Sequence, residues 1–69
     1  MGKEQVARVT EIIAESSDGF MEAVNVGFAR ASSTLRGITG MRVIEHRVSV
    51  KDGKIDTYRV KLEVIFILE

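Results

Sequence analysis

The chain has 69 residues with no Cys, no Pro and no Trp, and its 10 Lys plus Arg are balanced by 10 Asp plus Glu. That length allows one domain, residues 1–69, and the missing cysteines exclude disulfides and any Cys/His zinc cluster. Zero net charge, interspersed signs, three Phe and one Tyr argue against nucleic acid, which calls for a basic surplus or stacking rings.

The opening "MGKEQVARVT" lacks the long apolar core of a signal peptide. No apolar run approaches the ~18 residues of a membrane span, so a soluble cytoplasmic chain without membrane contact is expected. "VARVTEIIAES", Val6 to Ser16, is rich in β-branched residues and reads as a strand. Ser16, Ser17 and Asp18 are each good helix N-caps, and Asp18 and Glu22 suit the positive end of a helix dipole.

In "DGFMEAVNVGFARASSTLRG", Phe20, Val24, Phe28, Ala31 and Leu35 recur at helical spacing and predict one apolar stripe. Gly27 costs roughly 1 kcal/mol of helix propensity against Ala, which a close helix–sheet approach would explain. Gly37 stands where a left-handed residue closes a helix. "GMRVIEHRVSV", Gly40 to Val50, reads as the second strand, and Asp52-Gly53 is a strong two-residue hairpin signal. The third strand is "KIDTYRVKLEVIFILE", with Tyr58, Val60, Leu62, Val64, Phe66 and Leu68 on one face and Thr57, Arg59, Lys61 and Glu63 on the other. Ile65 and Ile67 make the end of that second face apolar as well.

The resulting fold is α+β, in the order β-α-β-β: a three-stranded antiparallel sheet wrapped around one helix. The second sheet face is left to line a subunit interface or an internal cavity. Chains below ~70–80 residues usually add disulfides, a metal or oligomerisation. The first two lack residues here, so self-association is expected, with a well-packed monomer as the alternative.

Chemistry is sparse. His46 is the only histidine and shares strand parity with Ile44 and Val48, which suits a structural or interface role. No nucleophile stands near it at motif spacing, so no triad is supported. Glu11, Glu15, Asp18 and Glu22 do not follow a calcium loop, and "GITG" lacks the length and the Lys of a phosphate loop. Arg36, Arg42, Arg47 and Arg59 can each bind an anion, although each alone suits a solvated face or a salt bridge. No catalytic set is present, and a non-enzymatic chain is expected.

The order, spacing and length of these motifs resemble the dodecins, small flavin-binding proteins. The resemblance runs from about Arg8 to Glu69, through "RVTEIIAESSDGF", "ARASSTLR" and "RVIEHRVSVKDGKIDTYRVKLEVIFILE". It implies a hollow homododecamer with helices outside and sheets inside, and paired flavins held between subunits. A Trp at the start of the second strand stacks on each flavin ring, and a Gln on the third strand bonds its polar edge. The family pattern "T-L-R-x-L-D-W-x-x-V" aligns with "TLRGITGMRV", which puts Gly40 at the Trp position and Thr39 at the preceding Asp. The pattern "Y-Q-V" aligns with "YRV", which puts Arg59 at the Gln position, while Arg47 matches a ligand-side Arg.

Gly40, Arg47 and Arg59 are therefore the expected cofactor-binding positions, with FMN, riboflavin or FAD as the cofactor. The expected function is binding and storage of flavin or a related nucleotide at an altered site. The alternative is the same shell without flavin, holding ions, coenzyme A or a protein partner, with Gly40 serving only to turn the chain from Gly37 into the strand.

Overall fold

The computed structural model describes residues 4–68. β1 (Ala7–Ser16), α1 (Phe20–Ser32), β2 (Ile38–Lys51) and β3 (Lys54–Ile67) follow in the expected β-α-β-β order. The strands form one antiparallel sheet of order β1-β3-β2, so the last strand of the chain is the central one. α1 lies on one face of this sheet, against β1 and β3. No helix among the described residues is long and apolar enough to cross a membrane. Glu69, the final residue of the expected third strand, lies outside the described residues.

The alternation of β3 sets the layering. Val60, Leu62 and Val64 point at the helix and are fully buried, the largest side chains to be so. Ala14, Ala23, Ile12, Phe20, Val24 and Met41 pack around Val60 and Leu62. The helix meets the sheet along Ala23, Gly27 and Ala31, its three buried residues. The expected stripe through Phe28 is corrected here: Phe28 is exposed, because the contact line runs through the small residues, rotated from the large ones. The reason is distance. A Cβ on Gly27 would lie 2.8 Å from Leu62 Cδ1 and 3.2 Å from Ala14 Cβ, so only glycine lets the layers approach this closely.

The ends of α1 also differ from expectation. Its N-cap is Gly19, in extended backbone and without a side-chain cap bond. Ser16 is still paired with Tyr58 in the sheet, and its Oγ accepts from the Asp18 N–H at 3.0 Å, so these polar residues form the turn ahead of the helix. At the other end the hydroxyls of Ser32 and Ser33 donate back to the carbonyls of Ala29 (3.1 Å) and Arg30 (2.7 Å). Such local bonds compete with helix continuation, and α1 stops well before Gly37. Gly37 does adopt positive φ, at 72°, but it opens β2: its carbonyl accepts from the Ile67 N–H at 3.0 Å. β2 therefore starts two residues earlier than expected, at Ile38. Asp52 and Gly53, with φ of 53° and 76°, make the tight hairpin turn that their sequence announced.

Gly40 is a different glycine from Gly27. A Cβ there would meet only Ile65 Cδ1, at 3.9 Å, and its φ is not positive. Gly40→Ala should raise stability by about 0.5–1 kcal/mol, because glycine weakens a strand interior. Gly27→Ala should instead lower it by about 1 kcal/mol, since overpacking outweighs the gain in helix propensity. Urea unfolding of both variants at one fixed subunit concentration measures the contrast.

Candidate functional site

The face of the sheet opposite α1 carries Gly40, Arg47 and Arg59. Gly40 pairs with Ile65, and Arg47 pairs with Arg59. Glu15 of β1 pairs with Arg59 from the other side. Simple alternation would separate Gly40 from Arg47, one at an even and one at an odd position. Ile44 prevents this. Val43 pairs with Leu62 and Glu45 with Lys61, so Ile44 is an extra residue that resets the pleat of β2. After it, Glu45 and Arg47 share the open face with Gly40 and Arg42. Two further irregularities, at Thr39 in β2 and Asp56 in β3, adjust the two ends of the hairpin.

After the bulge His46 keeps the face it was expected to share with Val48, which pairs with Tyr58. His46 pairs with Val60 and stands on the helix side. Its ring meets Phe20 edge-on at 4.8 Å, and Phe20 meets Tyr58 in the same manner at 5.1 Å. His46 is thus an exposed residue on the helix side of the sheet, in edge contact with Phe20 and away from the open face.

Ion pairs organise the open face. Arg59 donates from Nε and Nη2 to Glu15 Oε1, at 3.0 and 2.8 Å. Arg47 donates from Nε and Nη2 to Glu45 Oε2, at 3.1 and 2.6 Å. Arg42 Nε lies 3.1 Å from Glu63 Oε1. Ser49 and Thr57 join hydroxyls at 2.6 Å near the hairpin end. Ile13, Glu45, Arg47, Arg59 and Lys61 enclose a shallow pocket of about 160 Å³.

The structure therefore brings Arg47 and Arg59 together as direct cross-strand partners. Gly40 lies farther along the same face, about 20 Å away at ~3.3 Å per strand residue. One chain does not present all three positions to a single ring system.

A second cavity, of about 530 Å³, runs along the β1 edge between strand and helix, lined largely by Ile12, Ile13, Val26, Gly27, Ala31 and Leu35. Sequence reasoning missed this groove, because it forms where the small residues of α1 face an unpaired strand edge. Among the described residues, no three of His, Cys, Asp or Glu come together as metal ligands within the chain.

The dodecin family model matches residues 6–69. A dodecin from Thermus thermophilus is 36% identical over 69 residues, covering 100% of this chain and 97% of its own. The structure of dodecin from Streptomyces coelicolor superposes with a TM-score of 0.93 at 35% identity, covering 99% of this chain and 97% of its own. The calcium dodecin of Mycobacterium tuberculosis, described as calcium chelating, superposes at 0.81 with 38% identity, covering 93% and 91%.

The Glu15–Arg59 pair joins two half-exposed side chains, and exposed pairs contribute about 0.2–1 kcal/mol. A double-mutant cycle of Glu15→Gln and Arg59→Gln in urea should return a coupling in that range, falling as salt is added. Zero coupling at low salt would mean that Arg59 is not held by Glu15 in solution.

Proposed function

This chain belongs to the dodecin family, whose members are non-enzymatic binding proteins, and from that premise we propose a homododecameric storage protein for flavin or a related small nucleotide. FMN, riboflavin and FAD are the candidate ligands. The open sheet face lines the interior of the assembly, and Gly40, Arg47 and Arg59 are its ligand-facing positions.

The observation that carries this reading is the room above Gly40. A side chain there would meet only Ile65 Cδ1, at 3.9 Å, and the backbone is free of positive φ. A planar ring can therefore lie on the strand itself, against aliphatic Ile65, in the space that a Trp would fill. Contact with an aliphatic floor is weaker than aromatic stacking, which is worth ~1–3 kcal/mol per ring. The site is accordingly a weak one. Arg59 weakens it further, since a guanidinium donates and never accepts, whereas the Gln of the family pattern does both.

The size of the core supports assembly. Val60, Leu62 and Val64 are the largest fully buried side chains, while Val6, Val9, Ile13, Met21, Val26, Phe28, Val50 and Ile55 remain well exposed. So much exposed apolar surface on so small a core marks interfaces.

The second reading is the same shell without flavin, holding an ion, coenzyme A or a protein partner. The specific observation in its favour is Arg59 itself, whose guanidinium accepts no hydrogen bond and is held by Glu15.

Flavin fluorescence titration separates the two readings. The natural protein should quench riboflavin, with an affinity about tenfold or more below that of the Gly40→Trp, Arg59→Gln double variant; tenfold corresponds to 1.4 kcal/mol. Quenching by the double variant alone favours the flavin-free shell. No quenching by either protein overturns the flavin reading and the assignment of both positions.

A further inference from the structure

The β2–β3 hairpin outruns the rest of the fold. β1 ends where Ser16 pairs with Tyr58, so from Ser49 to Thr57 the chain is a ribbon of two strands closed by the Asp52-Gly53 turn. A two-stranded ribbon alone is marginally stable in water. This one is sorted by face. On the open side Ser49 and Thr57 join hydroxyls at 2.6 Å. On the helix side Val50 and Ile55 are direct cross-strand partners, 65% and 55% exposed. α1 starts at Phe20, beside Tyr58, and leaves this apolar ribbon face bare.

Surface area points to what covers it. A folded monomer of 7.7 kDa exposes about 4,300 Å² by the usual scaling with mass, whereas this chain exposes 5222 Å². The surplus of about 900 Å² is close to the ~800 Å² that each partner loses in a standard interface. A second copy also offers a matching surface. The groove of about 530 Å³ between β1 and α1 is lined by Ile12, Ile13, Val26, Gly27 and Leu35, and Ile13 and Val26 are exposed. Arg30 lines it too. Among the described residues Arg30 has no carboxylate partner, and Asp52 and Asp56 of the ribbon have no cation.

We propose that residues 49–57 form an arm that reaches onto a second copy of this chain, where Val50 and Ile55 fill the groove between β1 and α1. Burying the two apolar faces against each other supplies the backing that the ribbon lacks. Asp52 and Asp56 at the arm's tip face Arg30 on the groove wall. The contact joins unlike surfaces, arm to groove. It rests on the reading of the chain as a homo-oligomer and names the contact that builds the assembly.

Sedimentation velocity on the natural chain and two variants tests the arm. Val50→Glu with Ile55→Lys removes the apolar arm face while opposite charges keep the ribbon paired. Val26→Glu charges the groove, and its pairing with Arg30 four residues on supports the helix. Each variant should raise the concentration for half-assembly at least tenfold. An equimolar mixture of the two, one of them fluorescently labelled, should show association absent from either alone, because an intact arm then meets an intact groove. Unchanged assembly of either variant would overturn the arm contact and leave homo-oligomerisation intact, as would a mixture that gains nothing. A monomeric natural chain would overturn both. Should a variant be unfolded alone, the mixture decides: regained β-sheet circular dichroism with association upholds the contact, and its absence overturns it.

Discussion

The approach of α1 to the sheet at Gly27 is the constraint on which the remainder depends. It lets Leu62 and Ala14 press against the helix backbone, so one thirteen-residue helix can cover the middle of a much longer sheet. A helix of that length spans about 20 Å, and a fourteen-residue strand about 46 Å. The hairpin of β2 and β3 therefore runs on past the helix, and the chain measures 58 × 20 × 14 Å. Everything the helix leaves uncovered, including the whole open face, is surface that a lone chain must expose. The functional reading grows from that surplus.

The open face owes its composition to a small irregularity. Without Ile44 as an added residue, Arg47 would point toward the helix and His46 toward the open side. With it, charges from all three strands meet in rows: Glu15–Arg59–Arg47, and beside it Ile13–Lys61–Glu45. Sequence positions that look unrelated become neighbours. Arg42, Arg47, Arg59 and Lys61 on this face are matched by Glu11, Glu15, Glu45 and Glu63, so it is not an extended basic surface. Within it, Arg47, Arg59 and Lys61 border one shallow pocket together with Glu45 and Ile13.

Much of this was legible beforehand, for physical reasons that differ by element. β3 was readable because a central strand with one buried and one polar face must alternate. The hairpin was readable because Asp52-Gly53 suits the positive φ of a tight turn. The periodicity shows the helix but not its buried face, since hydropathy favours Phe28 over Gly27 and packing distance decides otherwise. Its C-terminus falls earlier than the sequence suggests because the hydroxyls of Ser32 and Ser33 act on local carbonyls, a competition that periodicity does not register. The bulge at Ile44 left no trace in residue type. The pairing of Arg47 with Arg59 was therefore hidden, although both positions had been singled out by the family resemblance.

The central claim is that the exposed apolar and charged surfaces of this chain are interior and interface surfaces of a closed assembly. Sedimentation velocity of the natural protein at micromolar concentration tests it most directly. The account predicts a single species of about twelve times the 7.7 kDa chain mass, persisting on dilution. A stable, folded monomer at the same concentration would contradict it.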